Sequence, residues 1–235
     1  MGGISIASML VALDATIIST SMPTVAQALN GMDLYSLVGT GYFLSLSATI
    51  LIFGRMGDMF GRKPMMIVSL AMVAICSLLC GVAQSMSQLI VFLIIQGVGA
   101  AMMIATSFAA PADLFPDVRQ RVQLLLLVSM GDCVANSLGP LLGGVMTESF
   151  GWRSTFIVMT VVGVTAILMI RKYLPRLPPT AGQEKTIDWF GAALIVLGIG
   201  CLLVGIQLLS GRHSLGIGSA IGLICLGLVF GGVLF

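Results

Sequence analysis

The sequence predicts an all-α integral membrane protein, and three observations support this fold class. Hydrophobic residues make up 58% of the 235 residues, and charged residues make up only 9%. The mean hydropathy is +1.11. Soluble domains carry about 25% charged residues, so this chain cannot form a water-exposed surface. Its apolar runs also reach the roughly 20 residues that a helix needs to cross the hydrocarbon layer.

Charged and turn-forming clusters divide the chain into eight predicted membrane spans. The uncharged stretch 64–112 is too long for one span, and the polar patch AQSMSQ (Ala83–Gln88) divides it. The segment 171–188 contains prolines and mixed charges that are incompatible with a buried helix, and it separates six spans from two. The predicted spans are 4–29, 34–54, 65–84, 88–110, 122–147, 154–170, 189–210 and 216–235.

These spans define the expected domain organisation. Residues 1–172 are expected to form an N-terminal six-helix bundle, and residues 173–188 a cytoplasmic linker. Residues 189–235 are expected to form two additional transmembrane helices. The last span reaches Phe235 without a polar tail, which indicates a truncated chain.

The basic residues predict the orientation in the membrane. With the N-terminus inside, the segments after spans 2, 4 and 6 face the cytoplasm, and they hold nine of the eleven basic residues. Cytoplasmic loops carry such an excess of Lys and Arg. We therefore expect a multi-pass protein of the plasma or inner membrane, surrounded by the lipid bilayer, with its N-terminus in the cytoplasm.

The remaining composition argues against several other functions. The five cysteines lie inside apolar runs and lack the clustered spacing of a disulfide framework or a zinc site, so core packing is expected for them. The sequence contains no nucleophile–base pair, metal cluster or phosphate-binding loop. We therefore expect no enzyme, no catalytic residues, no cofactor and no metal site. A net charge of +2 does not suggest a nucleic-acid partner.

The polar stretch GRMGDMFGRKP (Gly54–Pro64) is a predicted loop between spans 2 and 3. Gly61 can adopt the positive φ of a tight turn, and Pro64 suits the first turn of the next helix, where its missing N–H costs nothing. Asp58 and Arg62 are four residues apart and can pair if the segment is helical. From spacing alone, a polar cap that carries cytoplasmic charge explains the stretch equally well.

The pattern Gly-x-x-x-Asp-x-x-Gly-Arg-Lys in this stretch resembles the signature loop of the major facilitator superfamily. LDATIISTSMP in span 1, IIQGVGAAMM in span 4 and ANSLGPLLGG in span 5 resemble motifs of its drug:proton antiporter branch with fourteen helices. DLFP after span 4 and IDWFGAALI in span 7 also fit this branch. The resemblance covers essentially the whole chain. It implies a cytoplasmic gate loop of Gly54, Asp58, Gly61, Arg62 and Lys63, and an antiporter motif that contains Gly139, Pro140, Gly143 and Gly144.

Two positions depart from the family pattern. Family members commonly carry a basic residue after the loop aspartate, where this chain has Met59. The span-4 motif usually has an arginine three residues before Gln96, and this arginine is linked to proton coupling in the family. Here that position is Leu93, so an intramembrane acid is expected to carry the proton.

Two acids are predicted at the centres of spans. An acid there costs about 2.5–3.5 kcal/mol on insertion scales and faces the bundle interior or a water-filled cavity. Asp132 is the first choice for the proton site, with Asn136 one turn away as its partner. Alternatively, Asp132 binds a cationic substrate and Asp14 takes the proton. We predict that Asp14, Gln96, Asp132 and Asn136 serve proton coupling or line the substrate cavity, against the alternative that they only bond helices together.

Two stripes predict close helix packing, which small residues at helix interfaces allow. In span 5 the stripe repeats every four residues, at Gly131, Ala135, Gly139 and Gly143. A comparable stripe in span 4 consists of Gln96, Gly99, Ala100, Met103 and Ser107.

The resemblance implies a secondary active transporter, with proton-coupled efflux of amphipathic drugs or toxic compounds as the favoured function. In this family, substrate binds near the bilayer midplane between two bundles that rock against each other. The expected partners are a small-molecule substrate, protons, and a missing C-terminal bundle that transport requires. Two alternatives stay open. One is a transporter of a specific small metabolite, and the other is a non-transporting remnant or accessory membrane protein.

Overall fold

The computed structural model describes residues 2–115 and 117–174, together with positions 191, 194, 197, 198, 200–202, 205, 222, 223 and 225–227. Residues 2–174 contain six long helices in chain order, with a short 3-10 turn, Met32–Leu34, before the second. The helices are α1 (Gly2–Ala28), α2 (Tyr35–Phe60), α3 (Arg62–Gly81), α4 (Met86–Leu114), α5 (Val118–Phe150) and α6 (Trp152–Tyr173).

The predicted all-α membrane fold is confirmed within these ranges. Each of the six helices is long and apolar enough to cross a membrane. The predicted linker lies outside the described residues except for 173 and 174, and the predicted spans 7 and 8 are described only at the scattered positions given above.

The predicted helix ends are wrong by several residues in most cases. Helix α2 continues to Phe60, where the sequence predicted an end at 54, and α5 extends beyond 122–147 at both ends. A helix satisfies most of its own backbone hydrogen bonds, so it can continue past the hydrocarbon layer into polar residues. Hydropathy therefore missed the polar ends of α2 and α5, whereas it placed the end of span 3 three residues beyond Gly81.

The helices form one bundle with α4 near its centre. Helix α1 packs most extensively on α5, α2 on α4, and α3 on both α4 and α6. Helices α2 and α5 bury the smallest share of their apolar segments. These two helices therefore leave the largest apolar faces open on the outside of the bundle.

The predicted packing stripe of α5 is confirmed, and its partner is α1. Ala135 is fully buried in this stripe. A Cβ built on Gly139 would overlap the side chain of Thr16, and one built on Gly143 would overlap that of Thr20. Helices approach this closely where one of them lacks side chains.

The stripe of α4 is also buried, and it faces α3. A Cβ on Gly99 would lie 3.1 Å from Val73 Cγ2. Ser69 Oγ donates to Met103 Sδ at 3.3 Å. Ser107 is buried as well, and its hydroxyl has no hydrogen-bond partner in the described part of the chain.

The prediction of core packing for the cysteines holds on α3 and fails on α5. Cys76 and Cys80 are buried. Cys133 is exposed, because it is two residues from Gly131 and Ala135 and therefore lies on the side of α5 that faces away from α1. Cys225 is exposed and Cys201 is half-buried.

Candidate functional site

Asp14 lies in the middle of α1, and its side chain is buried among neighbouring helices. Gln96 Nε2 on α4 donates a hydrogen bond of 2.6 Å to Asp14 Oδ2. The same nitrogen lies 3.1 Å from Ser77 Oγ on α3 and donates to it. Cys80 Sγ is 3.8 Å from Gln96 Oε1. This Asp14 cluster therefore connects three helices through buried polar groups.

The Asp14 cluster contains a carboxyl group that is only partly satisfied. Asp14 Oδ1 is buried and has no hydrogen-bond partner among the described residues. Both salt bridges in that part of the chain are made by Arg62, and neither involves Asp14. Leu93, at the position where the family has an arginine, is fully buried on α4 one turn before Gln96. Burying an unpaired charge is costly, so this arrangement accommodates a neutral carboxyl group.

Asp132 lies apart from that cluster, where α5 meets α1. Its Oδ1 accepts a hydrogen bond of 2.7 Å from Ser8 Oγ. The side chain of Asp132 is half-buried, and Asn136 is exposed. The expected partnership with Asn136 is wrong within the described residues, because Ser8 of another helix is the hydrogen-bond partner. Of the four predicted cavity residues, the structure thus joins Asp14 to Gln96, leaves Asp132 half-buried between α5 and α1, and leaves Asn136 exposed.

The predicted loop 54–64 is a helical corner, so its assignment as a loop is wrong. Gly54 and Asp58 belong to the last turns of α2, and Arg62 and Lys63 begin α3. Gly61 is the single residue between the helices and has φ 89. Glycine adopts this conformation at little cost, and it allows two helices to join without a longer turn. The predictions for Gly61 and for Pro64 in the first turn of α3 are confirmed.

Arg62 is the centre of this corner and is 6% exposed. It forms a salt bridge with Asp58, as the spacing of four predicted. Its Nε also lies 2.8 Å from Asp113 Oδ2 at the end of α4, and its Nη1 donates to Gly54 O at 3.3 Å. The sequence analysis did not select Asp113, although it opens the DLFP stretch. A single acid near the end of a span does not reveal which basic residue faces it.

The glycines of the corner contribute in different ways. A Cβ on Gly57 would lie 2.7 Å from Arg62 Nη1 and 3.3 Å from Thr106 Cγ2, so the absence of a side chain makes room for the guanidinium group. A Cβ on Gly54 would have no neighbour within 4 Å among the described residues. Gly54 therefore contributes its carbonyl oxygen, whereas Gly57 provides close packing.

Lys63 connects the same corner to α6. Its Nζ donates to Arg171 O at 3.0 Å and also to Leu174 O. Cations are favourable at a helix C-terminus, where carbonyl groups lack partners within the helix. Lys63 and the neighbouring Arg62 thus bring the ends of α2, α3, α4 and α6 together at one end of the bundle.

The antiporter-motif residues divide into two pairs. Gly139 and Gly143 face α1 in the packing stripe described above. Pro140 is exposed on α5, and a Cβ on Gly144 would have no described neighbour within 4 Å. The motif therefore presents one face to α1 and the other to the outside of the bundle.

Comparison with known proteins agrees with this architecture. The family profile described as Major Facilitator Superfamily matches residues 4–235. The chain belongs to the major facilitator superfamily. The predicted family is thereby confirmed, and this facilitator chain is a multi-pass membrane protein of a transporter family.

Relatives of this facilitator chain carry names that refer to multidrug resistance or to an efflux pump. It is 32% identical over 207 residues to Multidrug resistance protein 3 of Bacillus subtilis, which covers 88% of this chain and 40% of the relative. It is 33% identical over 209 residues to the efflux pump dotC of Dothistroma septosporum, covering 87% of this chain and 35% of the relative. The facilitator chain therefore spans about two fifths of the length of these relatives or less.

Solved structures share the fold at low sequence identity. The human organic anion transporter MFSD10 matches with a TM-score of 0.71 and 18% identity, over 97% of this chain and 59% of that one. A bacterial homologue of the human lysosomal transporter Spinster, in an inward-facing and occupied conformation, gives 0.67 and 18%, over 93% and 55%. These matches establish the facilitator fold.

Proposed function

We propose that this chain forms the N-terminal bundle of a proton-coupled exporter of amphipathic compounds. The observation that carries the proposal is the Asp14 cluster, in which a buried carboxyl group with no counter-cation among the described residues is hydrogen-bonded across three helices. The names of relatives such as Multidrug resistance protein 3 support the substrate class. The motif ANSLGPLLGG supports the direction of transport.

Asp14 is the proton-carrying residue in this proposal, in place of the sequence-based first choice, Asp132. Asp14 is 1% exposed, so the charge state of its carboxyl group strongly affects the energy of the conformation around it. When protonated, it fits the packed bundle described above. When ionised, it requires water or a cation, and a conformation that opens the cluster supplies water. Alternating exposure of this kind couples proton movement to conformational change.

Asp132 is proposed to attract cationic groups of the substrate. Its carboxylate is bonded to Ser8 and half-buried, so part of it faces the outside of the bundle. In the proposal, that face borders the space between this bundle and a second one. A partly solvated carboxylate can stay ionised and attract a cation. Asn136, exposed one turn further along α5, would provide a hydrogen-bonding group in the same space.

The Arg62 corner is proposed to hold the cytoplasmic side of the bundle rigid while the two bundles rock. Arg62 bonds groups of α2 and α4, and Lys63 bonds the end of α6. Rigid-body movement requires such fixed connections within each bundle. The excess of basic residues near these helix ends supports the proposal that this end is cytoplasmic, with the N-terminus on the same side.

The test is transport by the protein that carries both bundles, purified and placed in liposomes. A pH gradient is imposed, and movement of a lipophilic fluorescent cation is followed with and without a proton ionophore. Export that requires the gradient, extends to several unrelated amphipathic compounds and is lost in Asp14→Asn supports the proposal. Strict selection between close analogues indicates a specific metabolite transporter. Sound incorporation with no transport of any compound refutes the proposal and favours a non-transporting protein.

A further inference from the structure

Tyr42 on α2 carries a buried hydroxyl group that makes no hydrogen bond in the described part of the chain. The residue as a whole is 2% exposed. Most buried polar side-chain atoms in proteins have a hydrogen-bond partner, and a buried group without one costs about 1–3 kcal/mol. Packing of the aromatic ring does not explain this hydroxyl group, since phenylalanine would pack as well without the cost.

Tyr42 lies beside the Asp14 cluster. Its carbonyl oxygen is 2.6 Å from the position of a Cβ built on Gly97, and Gly97 directly follows Gln96 on α4. Tyr42 also lines a space between α1 and α2 together with Ala15, the residue after Asp14. The fold therefore places this tyrosine next to both members of the hydrogen-bonded pair.

The Asp14 cluster contains a second buried atom without a partner. Asp14 Oδ1, like the Tyr42 hydroxyl, has no hydrogen bond among the described residues. The carboxyl group of Asp14 also acts electrostatically on Tyr42, which agrees with their placement in the bundle. A phenol hydroxyl can donate a hydrogen bond, and a carboxylate oxygen accepts one. Two neighbouring buried groups thus each lack the partner that the other can supply.

The other titratable groups near Asp14 are poorer donors. Cys76 and Cys80 of α3 also interact with Asp14 electrostatically. A thiol is only a weak hydrogen-bond donor, and Cys80 Sγ already lies 3.8 Å from Gln96 Oε1. Among the titratable groups that interact with Asp14 in residues 2–115 and 117–174, Tyr42 therefore carries the strongest donor.

Helices α1 and α2 have room to shift against each other. Helix α1 packs most extensively on α5, and α2 packs most extensively on α4. The space between α1 and α2 has a volume of about 170 Å³. Side chains that line such a space lack contacts on one side, so few contacts oppose a small shift. A shift of this kind can bring the Tyr42 hydroxyl to Asp14 Oδ1 and keep the α1–α5 and α2–α4 packing.

We propose that Tyr42 is the hydrogen-bond donor that holds Asp14 after its carboxyl group has lost the proton. The inference rests on the proposed proton-carrying role of Asp14 and adds a positioning residue to it. On ionisation, the proton passes from Asp14 to water, and the Tyr42 hydroxyl keeps its own proton and donates to Oδ1. Gln96 continues to donate to Oδ2. Hydrogen bonds to a charged acceptor are about twice as strong as neutral ones, so this partner specifically stabilises the ionised state.

The experiment is infrared difference spectroscopy between acidic and alkaline pH, on the purified protein with both bundles in liposomes. Asp14→Asn identifies the bands of the Asp14 carboxyl group. Tyr42→Phe removes only the hydroxyl, so we expect it to shift the bands of the ionised carboxylate and to leave the band of the protonated carboxyl in place. Tyr35→Phe is the matched control, because it removes the same group from an exposed position of the same helix. It should leave all of these bands unchanged.

Export gives a second readout that separates positioning of Asp14 from substrate binding. Tyr42→Phe should lower kcat for gradient-driven export by about tenfold and leave KM unchanged, because the hydroxyl acts on Asp14 and not on the substrate. Fluorotyrosine introduced at position 42 is a stronger donor. It should shift the carboxylate bands in the direction opposite to Tyr42→Phe, and it serves if the phenylalanine variant does not reach the membrane.

Carboxylate bands that are identical in Tyr42→Phe and the unchanged protein overturn the proposal, and so does an equal shift in Tyr35→Phe. The spectra require neither a gradient nor a substrate. A protein whose Asp14 bands depend on Tyr42 but which exports nothing would keep the hydrogen bond and refute the exporter. Export that is lost in Asp14→Asn and unchanged in Tyr42→Phe would refute the role of Tyr42 alone. Asp14 bands that do not change with pH would refute both.

Discussion

Gln96 on α4 and Asp14 on α1 are 82 residues apart in the chain, and the amide of one donates a hydrogen bond of 2.6 Å to the carboxyl of the other. Leu93, the position at which the sequence analysis expected an arginine from the family pattern, lies one turn before Gln96 and is fully buried. A neutral amide can bond either the protonated or the ionised acid. The Gln96 bond is therefore compatible with both charge states of the proton-carrying role proposed for Asp14.

The first prediction separates the two intramembrane acids. Asp14→Asn should reduce gradient-driven export of every substrate by more than about tenfold, because asparagine keeps the hydrogen bond from Gln96 but cannot exchange a proton. Asp132→Asn should reduce export of cations and leave neutral compounds unaffected. Transport assays in proteoliposomes with one cationic and one neutral substrate measure both effects. The opposite assignment, with all export lost in Asp132→Asn alone, would restore the sequence-based first choice.

The second prediction concerns the stability of the Asp14 cluster. Gln96→Leu should destabilise the bundle by about 1–3 kcal/mol, because it leaves both carboxyl oxygens of Asp14 buried without partners. Adding Asp14→Leu to this variant should recover most of the loss, since replacing both partners by apolar groups can be nearly neutral. The variants are compared by heating each one in detergent and measuring the fraction that remains monodisperse. Additive losses would show that the two residues do not interact.

The third prediction tests Arg62 as a connection between α2 and α4. Asp113→Asn and Asp58→Asn should each impair export while membrane insertion stays intact, because each removes one acid from a nearly buried guanidinium group. Arg62→Lys should impair export as severely, since a lysine ammonium group cannot replace a planar guanidinium group that bonds two acids. Arg119→Lys, at an exposed position, is the matched control. Normal export by Asp58→Asn and Asp113→Asn would leave the corner with a role in topology only.

The fourth prediction concerns the two faces of the antiporter motif. Gly139→Ala should destabilise the bundle by about 1–3 kcal/mol, as overpacking does, because the added methyl group overlaps Thr16. Gly144→Ala adds the same group where no described atom lies within 4 Å and should be tolerated. Thr16→Ala should relieve part of the strain of Gly139→Ala. Equal thermal stability of the two glycine variants would contradict the packing described for α1 and α5.

The fifth prediction tests the orientation in the membrane. Single cysteines introduced as Arg55→Cys and Arg119→Cys, in a version without native cysteines, should resist an impermeant thiol reagent in intact cells. Asp33→Cys lies at the opposite end of α2 and is exposed, so it should react readily. Protection is expected at Arg55 and Arg119 because both lie where basic residues are in excess, which is typical of the cytoplasmic side. The reverse labelling pattern would invert the proposed topology.

The sequence alone determined that the protein lies in a membrane, that it is all-helical, how many spans residues 2–174 form, and the family. These properties depend on composition, on the length of apolar runs and on short motifs, which are local features of the chain. The stripe of small residues in α5 and the pairing of Asp58 with Arg62 were also predictable, because residues three or four apart on a helix are neighbours.

Only the tertiary structure decided which polar groups meet. Gln96 bonds Asp14 across 82 positions, Asp113 bonds Arg62 across 51, and Ser8 replaces Asn136 as the partner of Asp132 across 124. Spacing along one helix predicts contacts within it but does not give the rotation of one helix against another. That rotation is set by the close packing of side chains over the whole bundle, and it determines which of the intramembrane acids becomes fully buried.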